Sequence, residues 1–119
     1  MRGKIYPGIG IALAVATVAS AEEKVSSAAA WAGCAGALAL KAQRDGGAAA
    51  ASIGSLARRA LAQAKRADNP TNLTPQQLDS TAMAAASRYR EELAKDPSRI
   101  PAFEKAAATC IDGVEKLPS

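Results

Sequence analysis

Apolar residues recur at intervals of three and four in four stretches of the chain, a spacing typical of one face of an α-helix. In chain order the four stripes are Trp31, Cys34, Leu38 and Ala42; Ile53, Leu56, Ala57, Ala60 and Ala64; Leu78, Ala82, Ala85, Tyr89 and Leu93; and Phe103, Ala107, Cys110, Val114 and Leu117. No stretch sustains the alternation of apolar and polar residues that is typical of a strand. The pattern therefore predicts an all-α fold.

Residues that break helices separate the first three predicted helices. The first is expected over about 24–44, and Gly46 beyond it is suited to the left-handed conformation that ends many helices. The second is expected over about 48–67 and ends before Asp68-Asn69-Pro70, because the residue before a proline is disfavoured in a helical conformation.

The start of the third predicted helix carries the clearest local signal in the chain. Thr74 is a good N-cap, Pro75 suits the first helical position, and Gln77 completes a Thr-x-x-Gln capping box. Leu73 and Leu78 have the spacing of a hydrophobic staple around that cap.

The fourth predicted helix follows closely on the third, which is expected to end near Lys95. Ser98 is its predicted N-cap, Pro101 lies in its first turn, and the helix is expected to run to about Leu117. Four helices with short connections predict a small up-down four-helix bundle.

The N-terminal residues have the layout of a secretory signal peptide. Arg2 and Lys4 precede the uncharged apolar run 9–18, and Ala19-Ser20-Ala21 offers small residues for cleavage after Ala21. The run is shorter than the about 20 residues of a spanning helix. We predict a signal peptide at 1–21 and one helical domain at 22–119, located in the periplasm or secreted. An uncleaved anchor and a buried first helix are the alternatives.

Charge and composition narrow the classes of partner. Without residues 1–21 the chain has 13 basic and 11 acidic side chains, so its net charge is +2 instead of +4. Strong electrostatic capture of nucleic acid is therefore not expected. Alanine accounts for 26 of the 98 remaining residues, which favours helices but predicts a thin core with Trp31 and Phe103 as its main anchors.

Cys34 has three interpretations. It ends the sequence Ala32-Gly33-Cys34, which is similar to a lipidation site, but charged residues separate it from the apolar run of the leader. A redox or metal role lacks a second nearby thiol and any histidine. The third interpretation pairs it with Cys110, because two cysteines in an exported chain are usually joined. We expect a disulfide between the first and fourth helices, which would close a 76-residue separation.

Most catalytic chemistry is excluded by residue type. Without histidine there is no Ser-His-Asp triad, Cys-His dyad or His-ligated metal. Gly46-Gly47 lacks the Gly-Lys-Ser/Thr continuation of a phosphate-binding loop. Glu92 and Asp96 are four residues apart on a helix, a spacing that we interpret as a solvated acidic pair. We therefore expect no catalytic residue, metal or cofactor, and no enzymatic activity.

A basic cluster on the second predicted helix is the one candidate for binding. Arg58 and Lys65, and likewise Arg59 and Arg66, are seven residues apart and are predicted to form two adjacent ridges. Such a surface would suit anionic lipid headgroups, cell-wall polymers or an acidic protein. The alternative is an ordinary solvated helix face.

These observations favour a non-enzymatic exported protein that binds a macromolecule or has a structural role in the cell envelope. The expected partner is another protein or an envelope polymer, with weak contact to a membrane surface and none to nucleic acid. The main alternative is an immunity or inhibitor protein against an envelope-acting toxin or hydrolase. A small enzyme that uses carboxylates and an acid-protective chaperone are two further classes. The sequence does not determine an oligomeric state.

Overall fold

The computed structural model describes residues 25–118 and contains four α-helices within them. The helices are α1 (Ala28–Asp45), α2 (Gly47–Ala64), α3 (Pro75–Lys95) and α4 (Ile100–Glu115), with a short 3₁₀ helix at Pro97–Arg99. No strand occurs in this part of the chain, so the all-α prediction is confirmed. The predicted signal peptide lies outside the described residues.

The first two helices are shorter than predicted. α1 begins at Ala28 instead of near residue 24, because the Ser27 side chain accepts a hydrogen bond from the backbone N–H of Ala30 at 3.2 Å and caps the helix. α2 ends at Ala64 instead of near residue 67. The chain turns there, and the Asp68 carbonyl accepts the N–H of Ala28 at 2.7 Å. A tertiary hydrogen bond thus ties the α2–α3 connection to the start of α1.

The connection between α1 and α2 depends on glycine. Gly46 has φ +64° and ψ −174°, a combination that essentially only glycine adopts. Its positive φ was expected, whereas its ψ is extended and so differs from the left-handed helical value. The following residue, Gly47, also has a positive φ of +58°. Two such residues in succession let α2 begin directly after α1 ends.

The predicted cap of α3 is confirmed. The Thr74 hydroxyl accepts the Gln77 backbone N–H at 3.1 Å, and the Gln77 side chain accepts the Thr74 backbone N–H at 2.8 Å. Leu73 and Leu78 both pack in the same apolar cluster, as a hydrophobic staple requires. Just before the cap, the Asn69 side chain bonds both the N–H and the carbonyl of Leu73. The start of α3 is therefore held by local hydrogen bonds.

The predicted cap of α4 is wrong. Ser98 lies inside the 3₁₀ helix, and α4 begins after Arg99 without a side-chain cap. Asp96 instead caps the 3₁₀ helix, since its carboxylate accepts the backbone N–H of Ser98 at 3.2 Å and the Ser98 hydroxyl at 2.6 Å. The hydrogen bond from the Ser98 hydroxyl lowers the pKa of Asp96. An aspartate that binds the N–H two residues ahead is favoured in turns.

Helix α1 lies at the centre of the fold. It supplies nine of the twenty buried apolar residues in the described chain and contacts each of the other three helices. Gly36 marks its closest approach to α3, since a Cβ at that position would lie 2.3 Å from the Ala82 carbonyl oxygen and 2.8 Å from the Ala85 Cβ. The two backbones meet there because both helices present very small residues.

Buried residues form two clusters along α1. The larger one, named here the disulfide cluster, contains Trp31, Cys34, Leu38, Cys110 and Val114 together with many alanines. The smaller one, the aromatic cluster, consists of Ala37, Leu40, Leu93 and Phe103, with Tyr89 and Ile100 packed against it. The two expected anchors, Trp31 and Phe103, therefore belong to different clusters.

Candidate interaction surface

The chain's two cysteines form a disulfide that joins α1 to α4. The Cα atoms of Cys34 and Cys110 are 5.5 Å apart, within the usual range for such a bond. Both residues are buried, and neither has a free thiol. The predicted pairing is confirmed.

A second link between the same two helices was not predicted. The Lys41 ammonium donates to the Glu104 carboxylate and also lies 3.1 Å from Asp45. Only 16% of the Lys41 side chain is exposed. The hydrogen bond with Glu104 is the main cause of a raised pKa at Lys41, against the opposing effect of burial. The i,i+4 spacing of Lys41 and Asp45 was readable in the sequence, but the contact with Glu104, 63 positions away, was not.

The described residues hold no other chemical constellation. Among residues 25–118 no group of three or more acidic or cysteine side chains is placed to bind a metal ion. Glu92 and Asp96 do not form a site, because Asp96 engages Ser98 and lies 3.5 Å from the Arg99 side chain. None of the helices in this range is both long and apolar enough to cross a bilayer.

All four residues of the predicted basic cluster are exposed. The prediction of two helical ridges is wrong in one respect, because α2 ends at Ala64 and only Arg58 and Arg59 lie on it. Lys65 is the C-cap residue, with nearly helical backbone angles, and Arg66 follows in the turn. We call these four side chains the α2 cationic surface.

The four cations differ in their partners. Lys65 forms an ion pair with Asp79 of α3 at 3.0 Å, which neutralises part of its field. Arg66 donates to the neutral side-chain amide of Gln63 at 3.2 Å. Within residues 25–118, Arg58, Arg59 and Arg66 have no carboxylate within ion-pair distance. The segment 46–67 contains no acidic residue at all. Three guanidinium groups therefore face solvent without a charged partner in this range.

Arg59 and Arg66 share an open depression between the end of α2 and the end of α4. Its other lining residues are Ala62, Leu117 and Pro118. Arg58 and Lys65 do not line it. The structure thus brings together one of the two predicted pairs, Arg59 and Arg66. It also places Leu117 and Pro118, from the C-terminal region, beside these cations, which the sequence pattern did not indicate.

Comparison of the chain with protein-family models, with curated proteins and with solved structures found no match.

Proposed function

We propose that the mature protein is a small exported helical protein, without enzymatic activity, that binds an anionic protein or polymer of the cell envelope. The α2 cationic surface is the proposed contact. Its exposed, acid-free run of cations is the observation that carries the proposal.

Location outside the cytoplasm is supported by two independent features. Disulfides form and persist in oxidising compartments, and the chain's two cysteines are joined. The N-terminal sequence has the layout of a cleavable signal peptide, with Ala21 as the last residue removed. We infer a periplasmic or secreted protein that begins at Glu22.

An up-down arrangement of the four helices is part of the same proposal. Along α1 the contacts to α4 run from Cys34 with Cys110 to Lys41 with Glu104, so residue numbers rise on one helix as they fall on the other. Gly36 and Gln43 of α1 meet the region of Ala85 and Arg90 of α3 in the same order, which supports a parallel pair. Such a bundle packs α2 against α1 and leaves the opposite face of α2 to a partner.

Location is tested by intact mass and N-terminal sequencing of the protein from an envelope fraction. The expected chain begins at Glu22 and has no reactive thiol. A full-length mass would contradict cleavage, and two titratable thiols per chain would contradict an oxidising location.

Binding is tested by co-sedimentation of the oxidised mature protein with cell-wall fragments, while vesicles that contain anionic lipid test for a membrane as the alternative partner. We expect association that weakens as salt rises from below to well above physiological ionic strength, because exposed charges are screened. Simultaneous replacement of Arg58, Arg59 and Arg66 by Ser should abolish it while thermal unfolding stays cooperative. Salt-insensitive binding, or no binding to envelope material, would contradict the proposal.

A further inference from the structure

We propose that the depression between Arg59 and Arg66 is a binding site for an extended peptide segment that carries two carboxylates around an aliphatic residue. This inference rests on the proposed envelope-binding function. It assigns the ligand chemistry to one part of the α2 cationic surface and excludes the Lys65 part.

The first step is the difference in available charge. Lys65 is already paired with Asp79, whereas Arg59 has no ion-pair partner and Arg66 only a neutral amide within the described residues. A carboxylate that approaches Arg59 and Arg66 therefore gains charge-assisted hydrogen bonds without displacing an existing ion pair. Guanidinium groups also match the planar geometry of a carboxylate better than an ammonium does.

The second step is the arrangement of the groups that line the depression. Arg59 lies on α2 and Arg66 in the turn that follows it, and both line the depression together with Ala62, Leu117 and Pro118. In an extended peptide, alternate side chains point to the same face. A sequence of the form Glu-x-Leu-x-Glu can thus present its two carboxylates to the arginines and its central aliphatic side chain to the apolar lining residues.

The third step concerns the class of occupant. A helical surface that inserts into a membrane needs large exposed apolar side chains beside its cations. Among the described residues Met83, on α3, is the exposed large hydrophobic residue, and it does not line the depression. The apolar lining is short and open, which suits one aliphatic side chain of a peptide better than an acyl chain.

The experiment is an NMR titration of the oxidised mature protein, labelled with ¹⁵N, with the capped peptide acetyl-Glu-Ala-Leu-Ala-Glu-amide. Shifts are expected at the backbone amides of residues 59–66 and 117 and at the arginine side-chain signals. The uncharged analogue acetyl-Gln-Ala-Leu-Ala-Gln-amide and the analogue with glycine in place of leucine should each bind more weakly by about tenfold or more, as expected for lost charge-assisted bonds and lost apolar contact respectively.

Two variants with equal net charge separate a defined site from general attraction. Arg59→Glu with Arg66→Glu should remove the peptide-induced shifts. Arg44→Glu with Arg88→Glu changes the net charge equally at exposed positions outside the depression and outside the α2 cationic surface, and it should retain binding within about threefold at moderate salt. Replacement of Arg59 and Arg66 by Lys keeps the charge but should still weaken binding, because the forked donor geometry is lost.

Several results would overturn the inference. Equal loss in the two glutamate variants would mean that net charge alone attracts the peptide. Absence of peptide binding by a protein that still binds envelope material through Arg58, Arg59 and Arg66 would reject the peptide site and leave the proposed function standing. Binding to anionic vesicles that the peptide cannot compete for would identify a membrane as the occupant. Absence of binding to peptide, vesicles and envelope material together would reject both proposals.

Discussion

Along α1, the region around Cys34 and the region around Lys41 are joined to α4 by different kinds of interaction. In the disulfide cluster the link is covalent, and most of the surrounding buried residues are alanines. In the aromatic cluster the link combines Phe103, whose ring lies 5.2 Å from that of Tyr89 in an edge-to-face arrangement, with the ion pair between Lys41 and Glu104. The same two helices are thus held together in two ways, about two turns of α1 apart.

The difference follows from what the local side chains can supply. An alanine buries little apolar surface, so a core built mainly from alanine gains little transfer free energy for each residue that is ordered. A covalent bond that restricts the unfolded chain compensates where such residues dominate. Large buried side chains contribute much more surface. Trp31 is one of them in the disulfide cluster, but eight of the fourteen buried residues there are alanines, against one of four in the aromatic cluster, which holds α4 without a covalent bond.

The largest expected effect comes from removal of the disulfide. The double variant Cys34→Ala with Cys110→Ala should lose about 4 kcal/mol of unfolding free energy, because the bridge closes a long loop in the unfolded state. The melting temperature should fall by roughly 10 °C or more. Calorimetry of the oxidised protein and the variant checks this. An unchanged melting temperature would mean that the alanine-rich region is stable without the disulfide.

Removal of the aromatic anchor is expected to be nearly as costly. Phe103→Ala should lose about 3–5 kcal/mol, since it leaves a cavity between α1, α3 and α4. Hydrogen exchange should rise first in the amides around Leu40 and Ile100, while those around Cys34 stay protected by the disulfide. Met83→Ala is the matched control, because Met83 is 72% exposed and its truncation should change stability by less than about 0.5 kcal/mol. If amides at both ends of α1 lost the same hydrogen-exchange protection, the two regions could not be treated as separately stabilised.

The contact between α1 and α3 lies between the two regions and depends on a missing side chain. Gly36→Ala should destabilise by about 1–3 kcal/mol, since the new methyl group would meet the Ala82 carbonyl and the Ala85 side chain. The control is Gly33→Ala on the same helix, where a Cβ has no atom within 4 Å. That variant should gain about 0.5–1 kcal/mol from helix propensity. Denaturant unfolding of both variants gives the comparison, and changes of the same sign would refute the close approach.

Alkaline pH should lower the free energy of unfolding through the region around Lys41. We expect this to be the smallest of the predicted changes in stability. Burial raises the pKa of Tyr89 above its usual 10.0, and the Glu104 hydrogen bond raises that of Lys41 above 10.5. A raised pKa in the folded state means that the folded protein holds its proton more tightly than the unfolded one. The resulting stabilisation is complete below about pH 10 and is lost as the pH rises through the folded-state values.

Tyrosinate absorbance measures the first of these shifts directly. Tyr6 falls within the predicted leader, so Tyr89 would be the single tyrosine of a chain that begins at Glu22. Its titration midpoint in the folded protein should exceed that of the protein unfolded in denaturant. Lys41→Met should abolish the lysine contribution to the alkaline loss of stability and leave the tyrosine contribution. A folded-state midpoint at or below the unfolded one would contradict the burial of Tyr89.

Local patterns in the sequence predicted the helices and much of the core. The stripes that include Trp31, Ala60, Leu78 and Phe103 all contribute buried residues, because the helical period determines which side chains share a face whatever they pack against. The Thr74 cap was predictable for a similar reason, since both its hydrogen bonds join residues three apart. The disulfide was predictable from the number of cysteines and the expected compartment.

Contacts between distant residues were decided by the tertiary structure. The hydrogen bond of the Asp68 carbonyl with Ala28 depends on how the α2–α3 connection meets the start of α1, and the contact of Lys41 with Glu104 depends on how α1 and α4 pack. The depression at Arg59 and Arg66 likewise depends on the position of Leu117 beside α2. Periodicity specifies which face of a helix is apolar, but only packing determines which helix covers that face and how closely, so the candidate site could be predicted as a charged surface and not as a lined depression.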